Sequence, residues 1–545
     1  MDRILREADF IVVGAGSAGS VVASRLSASP THRVVLLEAG GSDRNPLFRV
    51  PLMSGVLLRN RYANWFYHTE PEPHLEGRRI FWPRGKVLGG SSTINGMVYT
   101  RGLPSDYDCW AQMGLPDWSF ERVLPAFRRI ERHHAGASEW HGGEGPVPVS
   151  RPGTPHPLYD AYIAAGRAAG FPFTEDFNGP QPEGFGRYDF TTRRGERWSA
   201  ARAFLDPARK RPNLRIVTGA HLLRVIVEGH RARGVEIATG GRVETIHAAS
   251  EVILCCGTVN SPQALMLSGI GDGDLLRRLG IPVRADLKDV GRNLQDHLLV
   301  RVEHACTQPI TLHRITRADR AAAALAHALL FGTGPAATFP IEAGAYLRSD
   351  PALDQPDLQS FFLPGLSSAA LRLPFLPVAR PRHDGHGFFA NVYQLRPESR
   401  GEIVLRSADP KEPPAIRPNY LSSLRDRQVL RAGAKILRDV FAQAPFDGFR
   451  GAELSPGPDV RTDAELDAWI ARTADAVFHP VGTCRMGADD GAVVDGALRV
   501  RGVDGLRVAD ASIMPTMPSG NTHAPTMMVA EMAAGFILRD AGARP

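Results

Sequence analysis

The sequence predicts an α/β protein: a Rossmann-like nucleotide-binding domain with an interleaved α+β domain built on an antiparallel sheet. Three observations carry this expectation. Phe10-Ile11-Val12-Val13, a glycine turn, a helix over 20–26 and a strand over 33–38 form a β-turn-α-β unit opening a doubly wound sheet. Between about 306 and 474, strand-like runs at 361–362, 388–393 and 402–405 alternate with Pro-rich loops, as in a separate sheet-bearing module. Beyond 479, a short strand over 506–510 and an apolar-faced helix over 525–541 read as a return to the first domain.

Gly14-Ala15-Gly16-Ser17-Ala18-Gly19 matches G-x-G-x-x-G between the first strand and its helix. Gly14 suits the tight turn, Gly16 lets backbone approach a pyrophosphate, and Gly19 lets helix and strand pack closely. The helix N-terminus then offers free N–H groups to phosphates, and Ser17 and Ala18 in the turn leading to it are expected to contact the cofactor. Glu38, with Ala39 beside it, ends the second strand, where a carboxylate accepts hydrogen bonds from ribose hydroxyls. The motif alone does not separate FAD from NAD.

Residues 41–110 are rich in Gly, Pro, Asn and aromatics and read as long ordered loops, a length that in a compact enzyme points to function. A helix is expected over 119–132 with Leu124 and Phe127 inward, then a Gly/Pro connector over 141–157. Alternation at 214–217, 222–227 and 234–237 predicts an antiparallel meander, and 251–254 a buried strand ending at Gly257. The apolar helix at 321–331 is too short to span a bilayer and is read as a core helix, with membrane-surface contact left open.

The 545 residues carry a formal charge of +6, with 43% hydrophobic and 22% charged residues, ordinary values for a globular protein. No basic run interleaves with aromatics, which argues against nucleic acid as a partner. No apolar run is long enough for a transmembrane segment, and the charged Met1-Asp2-Arg3-Ile4-Leu5-Arg6-Glu7 is not a secretory signal. The 5 cysteines lack C-x-x-C spacing, so neither a disulfide framework nor a metal site is expected. Cys255, Cys256 and Cys484 read as packing thiols, and the usage suits a cytoplasmic location, with peripheral membrane association left open.

Two histidines sit in small-residue loops near the C-terminus: His479 in His479-Pro480-Val481-Gly482-Thr483, and His523 in Ser519-Gly520-Asn521-Thr522-His523-Ala524. An imidazole titrates near neutrality and suits proton transfer. Asn521, after a glycine, reads as a structural turn residue.

Further segments point to a family. Gly85-Lys86-Val87-Leu88-Gly89-Gly90-Ser91-Ser92-Thr93-Ile94-Asn95-Gly96-Met97-Val98-Tyr99 resembles the first signature of the glucose–methanol–choline (GMC) flavoprotein oxidoreductases. Gly257-Thr258-Val259-Asn260-Ser261-Pro262-Gln263 through Leu267-Ser268-Gly269-Ile270-Gly271 resembles the second. Gly291-Arg292-Asn293-Leu294-Gln295-Asp296-His297, Ala509-Asp510-Ala511-Ser512 and both histidines follow in the family's order, so the likeness covers essentially the whole chain. It is nearest in pattern to the choline-dehydrogenase-like bacterial branch.

The resemblance implies an FAD-dependent oxidation of a primary alcohol to an aldehyde, with hydride to flavin N5 and the hydroxyl proton to an active-site histidine. His479 matches the proton acceptor, and His523 matches a second position that is Asn or His. That histidine, in place of the branch's usual asparagine, tilts the expectation from choline toward neutral alcohols. The resemblance places Gly89, Gly90, Asn95, Gly96 and Val98 along the flavin, Asp510 and Ala511 near the pyrophosphate and ribityl, and Val225 at the adenine. Ile94 stands where some relatives attach FAD through a histidine, so FAD is expected to be non-covalent. O2 or a quinone would reoxidise it. The alternatives are choline dehydrogenase, or a lyase or photoenzyme on the same fold. A carboxylate for choline could be Glu342, and Trp65, Phe66, Tyr67, Phe361, Phe362, Phe388 and Phe389 are pocket or packing aromatics. The implied domains are 1–45, 75–110, 200–305 and 475–545 for FAD, and 46–74, 111–199 and 306–474 for substrate.

Overall fold

A computed structural model describes residues 7–372 and 385–542. The N-terminal Met1-Asp2-Arg3-Ile4-Leu5-Arg6 stretch read above for its charge lies outside them. The first sheet is built on β1 (Glu7–Val13), β2 (Val34–Glu38), β3 (Leu214–Thr218), β4 (His221–Glu228), β5 (Arg231–Thr239), β6 (Arg242–Leu254) and β7 (Leu506–Val508). Its order is β3-β2-β1-β6-β5-β4, with β7 also paired to β6. β1, β2, β3, the end of β6 and β7 are parallel: Val12 pairs with Leu36 on one side and Ile253 on the other, and Ile253 with Arg507. Residues 34–38 are buried throughout, the pattern of a parallel strand covered on both faces. Helix α1 (Ser17–Leu26) follows the glycine turn, α2 (Gly257–Leu267) follows β6, and α3 (His523–Asp540) packs on α1.

The meander differs from the expected one. Leu214–Thr218 pairs parallel with β2, and the antiparallel run is β4-β5-β6. Alternation identifies a strand but not its partner. The 13-residue β6 serves both halves: its start is antiparallel to β5, and its end, which is the expected 251–254 strand, is parallel to β1.

The second sheet is antiparallel, in the order Arg450–Ser455, Leu298–Cys306, Gly387–Gln394, Leu358–Leu363, Ala343–Leu347, Gly184–Arg187, with Asp475–Ala476 also on Leu298–Cys306. Leu298–Cys306 and Asp475–Ala476 thus lie in the second sheet, although 200–305 and 475–545 were assigned to the first domain. Helix Leu424–Ala442 and helix Pro157–Ala168 cover this sheet.

Two helices correct the sequence reading. The helix expected over 119–132 is Phe120–Ile130, followed by strand Glu131–His133. Its buried stripe is Val123, Ala126, Phe127 and Ile130, which leaves Leu124 half-buried. In helix Ala318–Phe331 only Ala324 and Ala328 are buried, while Leu330 is 75% and Phe331 68% exposed. It packs through an alanine stripe against Val50 and Ala336, so the core reading fails. None of the described helices is long and apolar enough to cross a membrane.

Candidate active site

A cleft runs from the turn after β1 to the loop that carries His479. Its first wall is the β1–α1 turn, where Gly14, Gly16, Ser17 and Ala18 line it. Gly14 holds φ +96°, and a Cβ there would stand 2.4 Å from Cys255 O. Only glycine fits that turn. Gly16 caps α1 without a side-chain acceptor, so the first N–H groups of α1 are left for a ligand anion. Gly19 lies outside the lining and packs α1 against the turn, as its motif role requires.

Glu38 and Ala39 line the next stretch. The Glu38 carboxylate accepts from Ala15 N (2.9 Å) and Gly40 N (2.8 Å), and burial pushes its pKa up to about 7. At the same end Ala220, His221 and Leu222 line the cleft, in place of Val225. Val225 is turned inward, its N–H donating to Ser268 Oγ at 2.8 Å.

The first-signature segment forms the floor through Gly90, Asn95, Gly96 and Val98. Gly89 is beneath it, its N–H bonded to Ala15 O at 2.8 Å. Asp510 and Ala511 close the far side. The Asp510 oxygens are taken by Gly257 N (2.8 Å), Ser261 Oγ (2.6 Å) and Ser512 N (2.8 Å), so this carboxylate braces the cleft. A floor opened by Gly90 and Gly96, a helix N-terminus without a side-chain cap and a buried carboxylate at a strand end fit the phosphates and ribose of FAD.

At the other end His479 is half-buried in the cleft wall, and its ring nitrogens have fixed roles. His297 Nε2 faces Leu395 O at 3.0 Å, and a carbonyl only accepts, so that nitrogen carries the hydrogen. His297 Nδ1 is then an acceptor, and His479 Nδ1, 3.0 Å away, donates to it. This leaves a lone pair on His479 Nε2. The other side requires the same. Asn521 Oδ1 accepts from Thr100 Oγ1 (3.2 Å), which turns Asn521 Nδ2 toward His479 Nε2 at 3.2 Å. Asp296 Oδ1 accepts the backbone N–H of His479 at 2.7 Å, and Tyr420 OH donates to Asp296 Oδ2. Phe478, just before, adopts φ +68°, a strained conformation held by Arg84 Nη2 on its carbonyl at 2.6 Å. Burial first, then His297 and Arg84, hold the His479 pKa well below the usual imidazole value. Burial pushes His297 down to about 4.

His523 lines the same cleft as His479, nearer the start of α1. Its Nδ1 lies 3.0 Å from Ser17 Oγ, at the start of α1, and burial followed by Arg197 pushes its pKa down to about 4. Among the described residues no hydrogen bond joins it to His479. The polar partner of His479 Nε2 is Asn521, which was read as a turn residue. His297 was visible only as the last residue of the Gly291–His297 segment, with nothing local to reveal its role.

Other candidates fall away. Glu342 is buried outside the lining, accepting from Thr154 Oγ1 (2.5 Å), Thr338 Oγ1 (2.8 Å) and Arg187 (3.4 Å). Phe362 and Phe388 belong to the core of the second sheet, and Phe361 packs with Tyr188 and Tyr393. Of the named aromatics Trp65 lines the cleft, with Lys86 Nζ 4.3 Å above its ring. His133, His134 and Asp189 converge elsewhere. There Ala135 N donates to His133 Nδ1, and Arg151 takes both Asp189 oxygens at 2.9 and 3.0 Å, so the cluster is a salt-bridged clasp.

Comparison with known proteins decides the family. A family model described as GMC oxidoreductase matches residues 8–299 and a second matches residues 397–530. The chain is a GMC oxidoreductase. It is 46% identical over 541 residues to the mitochondrial choline dehydrogenase of Mus musculus, covering 97% of this chain and 89% of that protein. It is 46% identical over 534 residues to the oxygen-dependent choline dehydrogenase of Brucella melitensis, covering 98% and 96%. Pyridoxine 4-oxidase from Mesorbium loti superposes with a TM-score of 0.87 at 34% identity, over 97% of this chain and 98% of that one. This GMC oxidoreductase is an FAD-dependent enzyme acting on CH–OH groups, on an α/β fold with a Rossmann-like cofactor domain.

Proposed function

We propose that this enzyme oxidises a neutral primary alcohol to its aldehyde, with His479 Nε2 taking the hydroxyl proton. The observation that carries the reading is the lone pair fixed on Nε2 from both sides, by His297 and by Asn521. FAD, when bound, supplies the hydride acceptor. The chain's own residues do the rest. His479, half-buried and with its pKa held low, is uncharged near neutrality and ready to accept a proton. The Asn521 amide donates where the alcohol oxygen would lie, so it orients that oxygen against Nε2. His297 is a positioning residue: it keeps the hydrogen on His479 Nδ1, and its own Leu395 bond keeps it from flipping. Replacing His297 by Phe should lower kcat/KM about 10- to 100-fold and shift its acid limb, with His297→Gln recovering part of both. An unchanged pH profile would reject this role.

The preference for a neutral substrate rests on charge. Among the described residues the carboxylates of the cleft wall are Glu38 and Asp510, both already engaged by N–H groups. Arg84 adds positive charge beside His479. A quaternary ammonium would meet no free anion there. The identity with choline dehydrogenases favours choline as the second reading. Anaerobic mixing separates the two. Neutral aliphatic or aromatic alcohols should bleach the flavin, and choline at the same concentration should not. Bleaching by choline alone would replace the substrate class, and no bleaching by any alcohol would favour lyase or photoenzyme chemistry. Admitting air afterwards reports whether O2 or a quinone is the acceptor. FAD is held without a covalent bond in this reading, because Ile94 offers no nucleophile; yellow colour left in an acid pellet would contradict it. The cytoplasmic location belongs to the same proposal, resting on cysteine usage.

A further inference from the structure

Among the described residues three arginines are almost fully buried: Arg101, Arg197 and Arg507. Arg101 pairs with Glu131 at 2.5 Å, and Arg507 pairs with Glu251 and Asp540 at 2.7 and 2.5 Å. Arg197 has no such partner among the described residues. Its Nη1 donates to Asn95 Oδ1 (2.7 Å) and Ser92 O (3.3 Å), its Nη2 donates to Ser54 Oγ, and its Nε has no acceptor. The adjacent Glu196 is spent on Arg202 at 2.6 Å. All three acceptors of Arg197 are neutral, and a buried cation without an anion is strongly unfavourable. Two of the acceptors belong to residues that line the cleft, Ser92 and Asn95. The missing anion is therefore to be sought on the cleft side of them.

We infer that Arg197 is a positioning residue that clamps the 92–95 segment and supplies the fixed positive charge opposite the negative charge that reduction places on the flavin. The inference rests on the flavin reading of the cleft. When a primary alcohol becomes an aldehyde, its C–H pair passes to the flavin and its O–H proton to His479. The balance leaves one negative charge on the reduced isoalloxazine and one positive charge on the imidazole. Arg197 is present before the reaction, already oriented by Asn95, Ser92 and Ser54, so it costs no reorganisation when the charge appears. Asn95 relays it: its Oδ1 faces Arg197 and also accepts Met97 N at 3.1 Å, which fixes the amide at the cleft floor.

The test uses purified holoenzyme and two readouts besides turnover: the flavin midpoint potential, and the dissociation constant for sulfite, whose flavin adduct is also anionic. Arg197→Gln should lower the potential by at least about 30 mV, a tenfold change for a two-electron couple, and weaken sulfite binding at least about tenfold. Arg197→Lys, which keeps the charge but not the fork, should recover most of both. Flavin-loaded Arg197→Gln with wild-type potential and sulfite affinity overturns the inference. Where Arg197→Gln does not retain flavin, Ser54→Asp leaves Arg197 in place and sets a carboxylate on its Nη2. Both readouts should then move in the same direction, and unchanged values overturn the inference. A wild-type enzyme that no alcohol bleaches, while Arg197→Gln still shifts both readouts, would defeat the proposed reaction and leave this assignment standing.

Discussion

Replacing His479 by Ala should lower kcat/KM about a thousandfold, near 4 kcal/mol of transition-state stabilisation, with FAD still bound. The expected size follows from what is lost. His297 cannot substitute, because its Nε2 hydrogen is committed to Leu395 O and its ring stands behind His479, outside the cleft lining. Asn521 can hydrogen-bond an alcohol but cannot take its proton. FAD should remain, since Gly16, Glu38 and Gly90 are untouched. The pH dependence gives a second check. The neutral imidazole is the active form, and its pKa lies well below 6.5. Activity should therefore hold as pH falls to 6.5 and decline only below it, as His479 takes up a proton. In His479→Ala that acid limb should be absent. Anaerobic stopped-flow reduction measures the rate directly, and the visible spectrum reports bound flavin. A variant reduced at close to the wild-type rate would remove His479 from the chemistry.

The sequence exposed the cofactor end of this site far better than the proton-transfer end. The β1–α1 turn is legible because all its parts are local: an apolar strand, three glycines and a helix start fall within a few residues. Glu38 follows from the next strand end. The His479 environment is not local. Its ring is set by His297, 182 positions away, and by Asn521, 42 positions away, and no periodicity records such contacts. His523 drew attention because histidine titrates. The fold places it at the first turn of α3, against Ser17, and gives the hydrogen bond to His479 Nε2 to the amide two residues earlier. Arg197 was invisible for a related reason, because a lone arginine in a polar stretch looks like surface until its burial and the absence of a carboxylate are known. The pairing of Leu214–Thr218 failed on the same ground: strand character is written in a few residues, and strand partners are not.

Replacing Gly90 by Ala should abolish FAD binding at working concentrations, with an affinity loss of about 100-fold or more, near 3 kcal/mol. Gly90 sits at φ +54°, where any side chain is disfavoured, and its added Cβ would come within 2.7 Å of Gly16 Cα. Neither side can yield. Gly16 is the N-cap of α1, one turn from β1, and both are buried in the first core. Gly90 is tied by its N–H to Val87 O at 2.7 Å and opens the turn Gly90–Thr93. The two backbones meet where the start of α1 faces the Gly90–Thr93 turn in the cleft, so pushing them apart displaces both. Enough of the fold lies elsewhere for the variant to accumulate as apoprotein, with its second sheet intact. Gly41→Ala is the control, since a Cβ there meets nothing within 4 Å. Flavin fluorescence titration of both apoproteins measures the difference directly. Equal FAD affinity in Gly90→Ala and Gly41→Ala would mean that the Gly16–Gly90 approach is not what forms the cofactor slot.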